Sequence, residues 1–199
     1  MKRMPYSSRR SAFTLVEALL AISMAAIAAS VLLLGITSAL NTTNEAISQT
    51  IANGMAAQLI DEAIGLRYHA TGADGYQTPL GASSYELSGA GRERFNDIDD
   101  HHGFRAQPPR GLYGIELGQD DGVGGVRHPN FIVPERRFEN WRREIEVYYV
   151  DETDHTQRLP SGWTSDYRAV EVRIIEDDPN RGSRELAKVR RVIAYVPPM

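Results

Sequence analysis

Residues 13–40 read FTLVEALLAISMAAIAASVLLLGITSAL, a run of 28 residues with a single charge, Glu17, and no proline. A helical run of about 18 or more apolar residues can cross a hydrocarbon layer about 30 Å thick. Residues 1–12 carry Lys2, Arg3, Arg9 and Arg10 and no acid, hence a charge of +4, and basic residues on one flank hold that flank in the cytoplasm. The run therefore predicts a single-pass segment, N-terminus inside, with everything after about Leu40 outside the cytoplasm.

The helix is expected to continue through residues 41–66. Ile47, Ile51, Met55, Leu59 and Ala63 recur every four residues along one face, while Asn44, Glu45, Gln49, Asn53, Asp61 and Glu62 are polar. Gly65 is a plausible stop. From Phe13 to Ile64 no proline intervenes, and at 1.5 Å per residue the rod would be about 78 Å long. Such a rod is expected to lie half in lipid and half against another layer.

That layer is a sheet. Residues 141–150 alternate, with Ile145, Val147 and Tyr149 opposite Glu144, Glu146 and Tyr148. Residues 167–176 do likewise, with Val170, Val172 and Ile174 opposite Glu171 and Arg173, and residues 186–196 give a third strand through Val189, Ile193 and Tyr195. Residues 177–184, with Pro179, Asn180 and Gly182, read as a loose hairpin, and residues 112–117 as a shorter strand. The expected class is α+β: a long N-terminal helix, membrane half then amphipathic half, packed on a C-terminal antiparallel sheet. The expected segments are 1–12, 13–40, 41–66, and 67–199 for the variable loops and sheet.

Over all 199 residues, 22 Lys+Arg face 26 Asp+Glu, and there is no Cys. The missing Cys excludes a disulfide framework, thiolate metal sites and a cysteine nucleophile. The balance excludes the basic stripe that nucleic acid would want, and the composition is neither that of a polytopic membrane protein nor that of a disordered chain. Without residues 1–12 the basic count falls from 22 to 18 against 26 acids, a charge of −8.

The plainest reading of the first forty residues is a signal peptide or simple anchor on an exported binding domain, since Ala26-Ile27-Ala28 is an A-x-A triplet. Glu17 speaks against it: a carboxylate at the bilayer centre costs about 2.5 to 3.5 kcal/mol or more, and such residues are usually functional. The apolar run also goes on past the triplet, through Val31, Leu32, Leu33, Leu34 and Ile36. The stretch from Ser11 to Ala21, SAFTLVEALLA, resembles the cleavage and methylation site of type IV prepilins and type II secretion pseudopilins. It shares their basic leader, a small residue before the cut, Phe after it and Glu at the fifth mature position. Ala12 stands where the family usually has Gly, and the Pro common in these helices is missing, with Gly35 the weak point.

The resemblance implies a pilin-like fold and a leader, residues 1–12, that a prepilin peptidase cuts between Ala12 and Phe13, methylating the Phe13 amine. It implies a single-pass subunit in the inner membrane that joins other pilin or pseudopilin subunits through an assembly platform. Glu17 would then meet the Phe13 amine of a neighbour and set its register, because a buried charge is tolerable only when paired. Snorkelling of Glu17 to the cytoplasmic surface is the alternative. The machine stays open between adhesive pilus, DNA-uptake pilus and type II secretion, and the irregular loops without Cys lean towards a minor subunit.

Residues 67–110 hold many Gly, Tyr, Ser and Asp and no long period, and loops are where surface function usually resides. Within them Arg94 to Phe104, RFNDIDDHHGF, is similar to an acidic segment of minor pilins of the mannose-sensitive haemagglutinin type, with His101 where an aromatic is expected. Asp97, Asp99 and Asp100 could supply oxygens to Ca²⁺, or serve as Asx turns and caps. The spacing is not that of an EF-hand, and the adjoining His101 and His102 should diverge rather than share a metal. Asp120-Asp121-Gly122 reads as a turn. Arg136, Arg137, Arg142 and Arg143, set among Glu135, Glu139, Glu144 and Glu146, read as a solvated ion-pair surface. No G-x-S-x-G, H-E-x-x-H or P-loop pattern occurs, so the expectation is a protein that is not an enzyme.

Overall fold

A computed structural model of the chain describes residues 14–179 and 182–197. The junction between Ala12 and Phe13, and Asn180 of the last hairpin, lie outside these. The elements are α1 (Leu15–Ile64), β1 (Arg105–Ala106), β2 (Trp141–Tyr149), β3 (Tyr167–Asp178) and β4 (Gly182–Ala194), with three 3₁₀ turns at Glu86–Ser88, Asp99–His101 and Pro129–Phe131. The chain forms two compact units, Met1–Ile47 and Ser48–Met199.

In the first unit the described residues are the N-terminal part of α1, which runs unbroken through Ala26–Ala28. With 50 residues α1 is about 75 Å long at 1.5 Å per residue, and it is long and apolar enough to cross a membrane. Its apolar side chains up to Ile47 are exposed on every side. The hydroxyls are folded back: Ser23, Ser30, Thr37, Thr42 and Thr43 each donate to the carbonyl four residues earlier, at 2.8–3.0 Å. Such bonds hide polar groups that lipid could not satisfy.

In the second unit the last turns of α1 meet the sheet. The buried positions are Ala52, Met55, Ala56, Leu59, Ile60 and Ala63, a stripe spaced alternately three and one apart. The expected stripe began earlier, at Ile47, but that side chain is 48% exposed. The face is also wider than a single row of every fourth residue. The helix ends with the Gly65 N–H on the Asp61 carbonyl at 3.0 Å; a Cβ on Gly65 would come within 3.1 Å of that oxygen.

The sheet has the order β1-β2-β3-β4, antiparallel throughout. Register sets Ile145 against Val172 and Val172 against Val189, with Val147 against Val170 and Ile174 against Ala187 in the flanking rows. This face packs on the α1 stripe together with Trp141, Phe138 and Ile98. The alternation expected for β2 is present along its whole length. A bulge between Ile174 and Ile175 leaves Leu186 unpaired, so that Leu186 and Ala187 are both buried although adjacent.

The expected loop over residues 177–184 is shorter than predicted, since Asp177 pairs with Ser183 and Asp178 with Gly182. Gly182, at φ +80°, supplies the left-handed residue that closes it. Residues 112–117 are not a strand. Gly114, at φ +77°, reverses the chain so that the Gly111 N–H bonds the Ile115 carbonyl at 2.7 Å. A Cβ there would lie 2.2 Å from the Ala90 carbonyl oxygen. The fourth strand is instead β1, with Arg105 opposite Glu144 and Ala106 opposite Arg143. It stops before Pro108 and Pro109, which have no N–H for the ladder.

Candidate functional site

Glu17 lies in the first turn of α1, exposed. Thr14 caps that turn: its Oγ1 accepts the Glu17 N–H at 3.3 Å. Thr14-Leu15-Val16-Glu17 fits the capping-box spacing, a signal that the sequence offered and the motif reading passed over. An acid in the first turn is favoured by the helix dipole, so Glu17 suits its local position even though it burdens an apolar surface. No Lys, Arg or His occurs between residues 11 and 66. α1 itself therefore offers Glu17 no cation.

The acidic segment is folded inward. Asp97, Asp99 and Asp100 are all buried. The Asp97 carboxylate accepts the Asp99 N–H at 3.1 Å and the Asp100 N–H at 3.3 Å, and the Asp100 carboxylate accepts the Asn96 N–H at 2.8 Å. These bonds build the 3₁₀ turn Asp99–His101. Asp99 meets Arg168 at 3.3 Å and accepts from the Gln77 amide. Burial, followed by contact with Asp99 and the charges of Asp99 and Asp100, pushes Asp97 up to about 8. Asp100 is also raised, by burial first and by Glu86 beside it. The three carboxylates proposed for Ca²⁺ are thus engaged largely by backbone N–H groups and by Arg168. Among the described residues no group of three or more His, Asp or Glu converges to hold a metal ion.

Arg168, on β3, is buried and shares the inward parity of Val170 and Val172. It donates to the Tyr68 and Gly75 carbonyls at 2.7 and 3.0 Å and to the Tyr149 hydroxyl at 2.8 Å. Its guanidinium carbon sits 4.3 Å from the Tyr68 ring centre and 4.9 Å from that of Tyr149. One buried cation thus pins residues 68–77, the acidic turn and two strands together.

A second buried cluster joins α1 to the sheet. Arg92 grips Glu62 of α1 through Nε at 2.7 Å and Nη2 at 3.0 Å, and His101 Nε2 lies 3.7 Å from the same carboxylate. Burial works to raise Glu62, but His101 and Arg92 outweigh it and hold it down at about 2. Arg143, expected on a solvated surface, is fully buried, because it shares the parity of Ile145 and Val147. Burial, then the charge of Arg92, lowers it to about 10. Its neighbour Arg142 points outward as expected and pairs with Glu144 and Asp177 at 2.8 and 2.7 Å.

His101 and His102 diverge: His101 is buried beside Glu62, whereas the His102 Nδ1 accepts the Val147 N–H at 3.3 Å. Asp121 and Gly122 form the expected turn, the Asp121 carboxylate accepting the Val123 and Gly125 N–H groups at 2.9 and 2.8 Å. A cleft of about 450 Å³ opens beside His102 and Tyr148, with the exposed Trp163 at its wall.

Fold and site define an α+β protein with a long N-terminal helix, packed at its C-terminal end on a four-stranded antiparallel sheet and apolar enough at its N-terminal end to cross a membrane. No family model, curated protein or solved structure matches the chain.

Proposed function

We propose that the chain is a structural subunit, of the minor kind, of a type IV pilus or a type II secretion pseudopilus. In this reading a prepilin peptidase removes residues 1–12 and methylates Phe13. The product sits in the inner membrane with its N-terminus in and its C-terminal domain outside the cytoplasm, and it enters the filament through α1. Glu17 carries the reading. It is the sole charge in residues 13–40, and no basic residue follows it before Arg67. A membrane carboxylate with no cation on its own helix calls for one on a neighbour, and a freshly cut Phe13 amine supplies it. At an effective dielectric constant of about 20, a charge pair 4 Å apart is worth about 4 kcal/mol, enough to reject a subunit one turn out of register.

The unbroken helix through Ala26–Ala28 supports retention of the segment, and the exposed apolar surface up to Ile47 suits lipid first and neighbouring helices afterwards. The test replaces Glu17 by Val, which removes charge without shortening the helix. Leader removal and membrane content should match wild type, whereas incorporation into sheared filaments or co-purifying pilin complexes should fall about tenfold or more. Incorporation equal to wild type would reduce Glu17 to a snorkelling side chain.

A further inference from the structure

A cleft of about 360 Å³ lies beside the Arg92 cluster, remote in sequence from the assembly helix. Arg92, Arg105 and Arg110 line it, over a floor that includes Leu87, Phe95 and Phe104, and no acid is among the lining residues. In a chain with more acids than bases, a cleft bounded by three arginines and no carboxylate is a local reversal of charge. The nearest acids are already engaged, two of them by the cleft's own Arg92 and Arg105, which leaves Arg110 as the lining arginine without a carboxylate among the described residues. Glu62 is held by Arg92, Glu93 accepts the Ala90 and Gly91 N–H groups at 2.8 Å, and Glu144 takes Arg142 at 2.8 Å and Arg105 at 3.6 Å. Glu116 faces Arg110 across a backbone bridge, but among the described residues no carboxylate pairs with the Arg110 side chain, which is exposed.

Behind the wall the positive charge is in excess. Arg92 and Arg143 both send Nη1 to the Arg110 carbonyl, at 3.3 and 3.4 Å. Arg143 has Nε and Nη2 buried without a hydrogen-bond partner, and so has His101 at both ring nitrogens. Glu62 is the one carboxylate in contact with this cluster among the described residues. Arg92, itself buried, makes three hydrogen bonds with a group that carries five N–H donors, and its guanidinium lies 4.6 Å from the Phe104 ring centre. Uncompensated buried cations are costly, and an anion entering the cleft would offset them while its body covered the apolar floor.

We infer that the cleft lined by Arg92, Arg105 and Arg110 binds a small organic anion, a carboxylate or phosphate group carried on an apolar body. The anion meets the exposed guanidinium groups of Arg105 and Arg110, with the buried charge of Arg92 behind them, and the body lies on Leu87, Phe95 and Phe104. Arg110 is the residue to change, because its side chain is free while its carbonyl, which orients Arg92 and Arg143, survives substitution.

The full chain in non-ionic detergent is titrated calorimetrically with benzoate, phenyl phosphate, inorganic phosphate and benzyl alcohol, against a detergent blank. Benzoate or phenyl phosphate should bind at or below about 10 mM. Arg110→Ala should weaken that binding about tenfold or more with no change in melting temperature, and Arg110→Lys should keep most of it. Binding by benzoate alone assigns a carboxylate, and by phenyl phosphate alone a phosphate. The proposal is overturned if neither aromatic anion binds at that concentration, or if benzyl alcohol or inorganic phosphate binds as well as they do. It is also overturned if affinity is unchanged within about twofold in both Arg110→Ala and Arg105→Ala.

Discussion

Asp97→Asn should make the second compact unit more stable above neutral pH. The native Asp97 carboxyl is buried against Asp99 and Asp100 and is pushed from 3.8 up to about 8. Between those values the folded chain holds a proton that the unfolded chain has released. Stability attributable to this group is therefore greatest at low pH and declines as pH rises towards about 8. One pH unit inside that window is worth about 1.4 kcal/mol at most, so the loss between pH 5 and 8.5 is on the order of a few kcal/mol. The substituted amide would keep the Oδ1 acceptor that receives the Asp99 and Asp100 N–H groups, and its NH₂ would donate to Asp99 without ionising. Urea denaturation of the full chain in detergent, read by the fluorescence of the buried Trp141, measures this at pH 5, 7 and 8.5. The variant should lose less stability than wild type between pH 5 and 8.5. Parallel curves, or a variant less stable than wild type at pH 8.5, would refute the reasoning.

Glu62→Gln should cost about 3–5 kcal/mol at neutral pH, because Arg92 and Arg143 would keep their buried charges and lose their carboxylate. For native Glu62 the sign is opposite to that of Asp97: its folded value, about 2, lies below the ordinary 4.5, so its stabilisation is present above pH 4.5 and is lost as pH falls towards 2. Acid titration of wild type and Glu62→Gln should therefore converge at low pH. Adding Ca²⁺ should leave the melting temperature unchanged, since Asp97, Asp99 and Asp100 are occupied by backbone N–H groups and Arg168; a rise that Asp99→Ala abolishes would restore the cation reading.

The long helix and the three long strands were legible because each carries its own signal over many residues: 28 nearly uncharged positions from Phe13 to Leu40, strict alternation in β2. The two-residue β1 was not, since two residues show no alternation, and residues 112–117 looked like a strand because apolar content alone cannot reveal the reversal at Gly114. The same alternation in β2 and β3 already placed Arg143 and Arg168 with the valines, facing inward. Charge composition drew the reading of Arg143 outward instead, because arginines are normally solvated, and Arg168 was not singled out. What no local pattern contains is the pairing of Glu62 with Arg92, 30 residues apart. The acidic turn was legible as acidic, but the loop that delivers Gln77 and the strand that delivers Arg168 decide that its carboxylates look inward.

The mature N-terminus of protein extracted from membranes tests the proposed subunit role most directly. Edman degradation or intact-mass analysis should find a chain that begins at Phe13 with an N-methylated amine, and Ala12→Leu should leave the leader attached. A mature chain that begins near Ala29, soluble in the periplasm, or an uncut Met1, would contradict the pilin proposal.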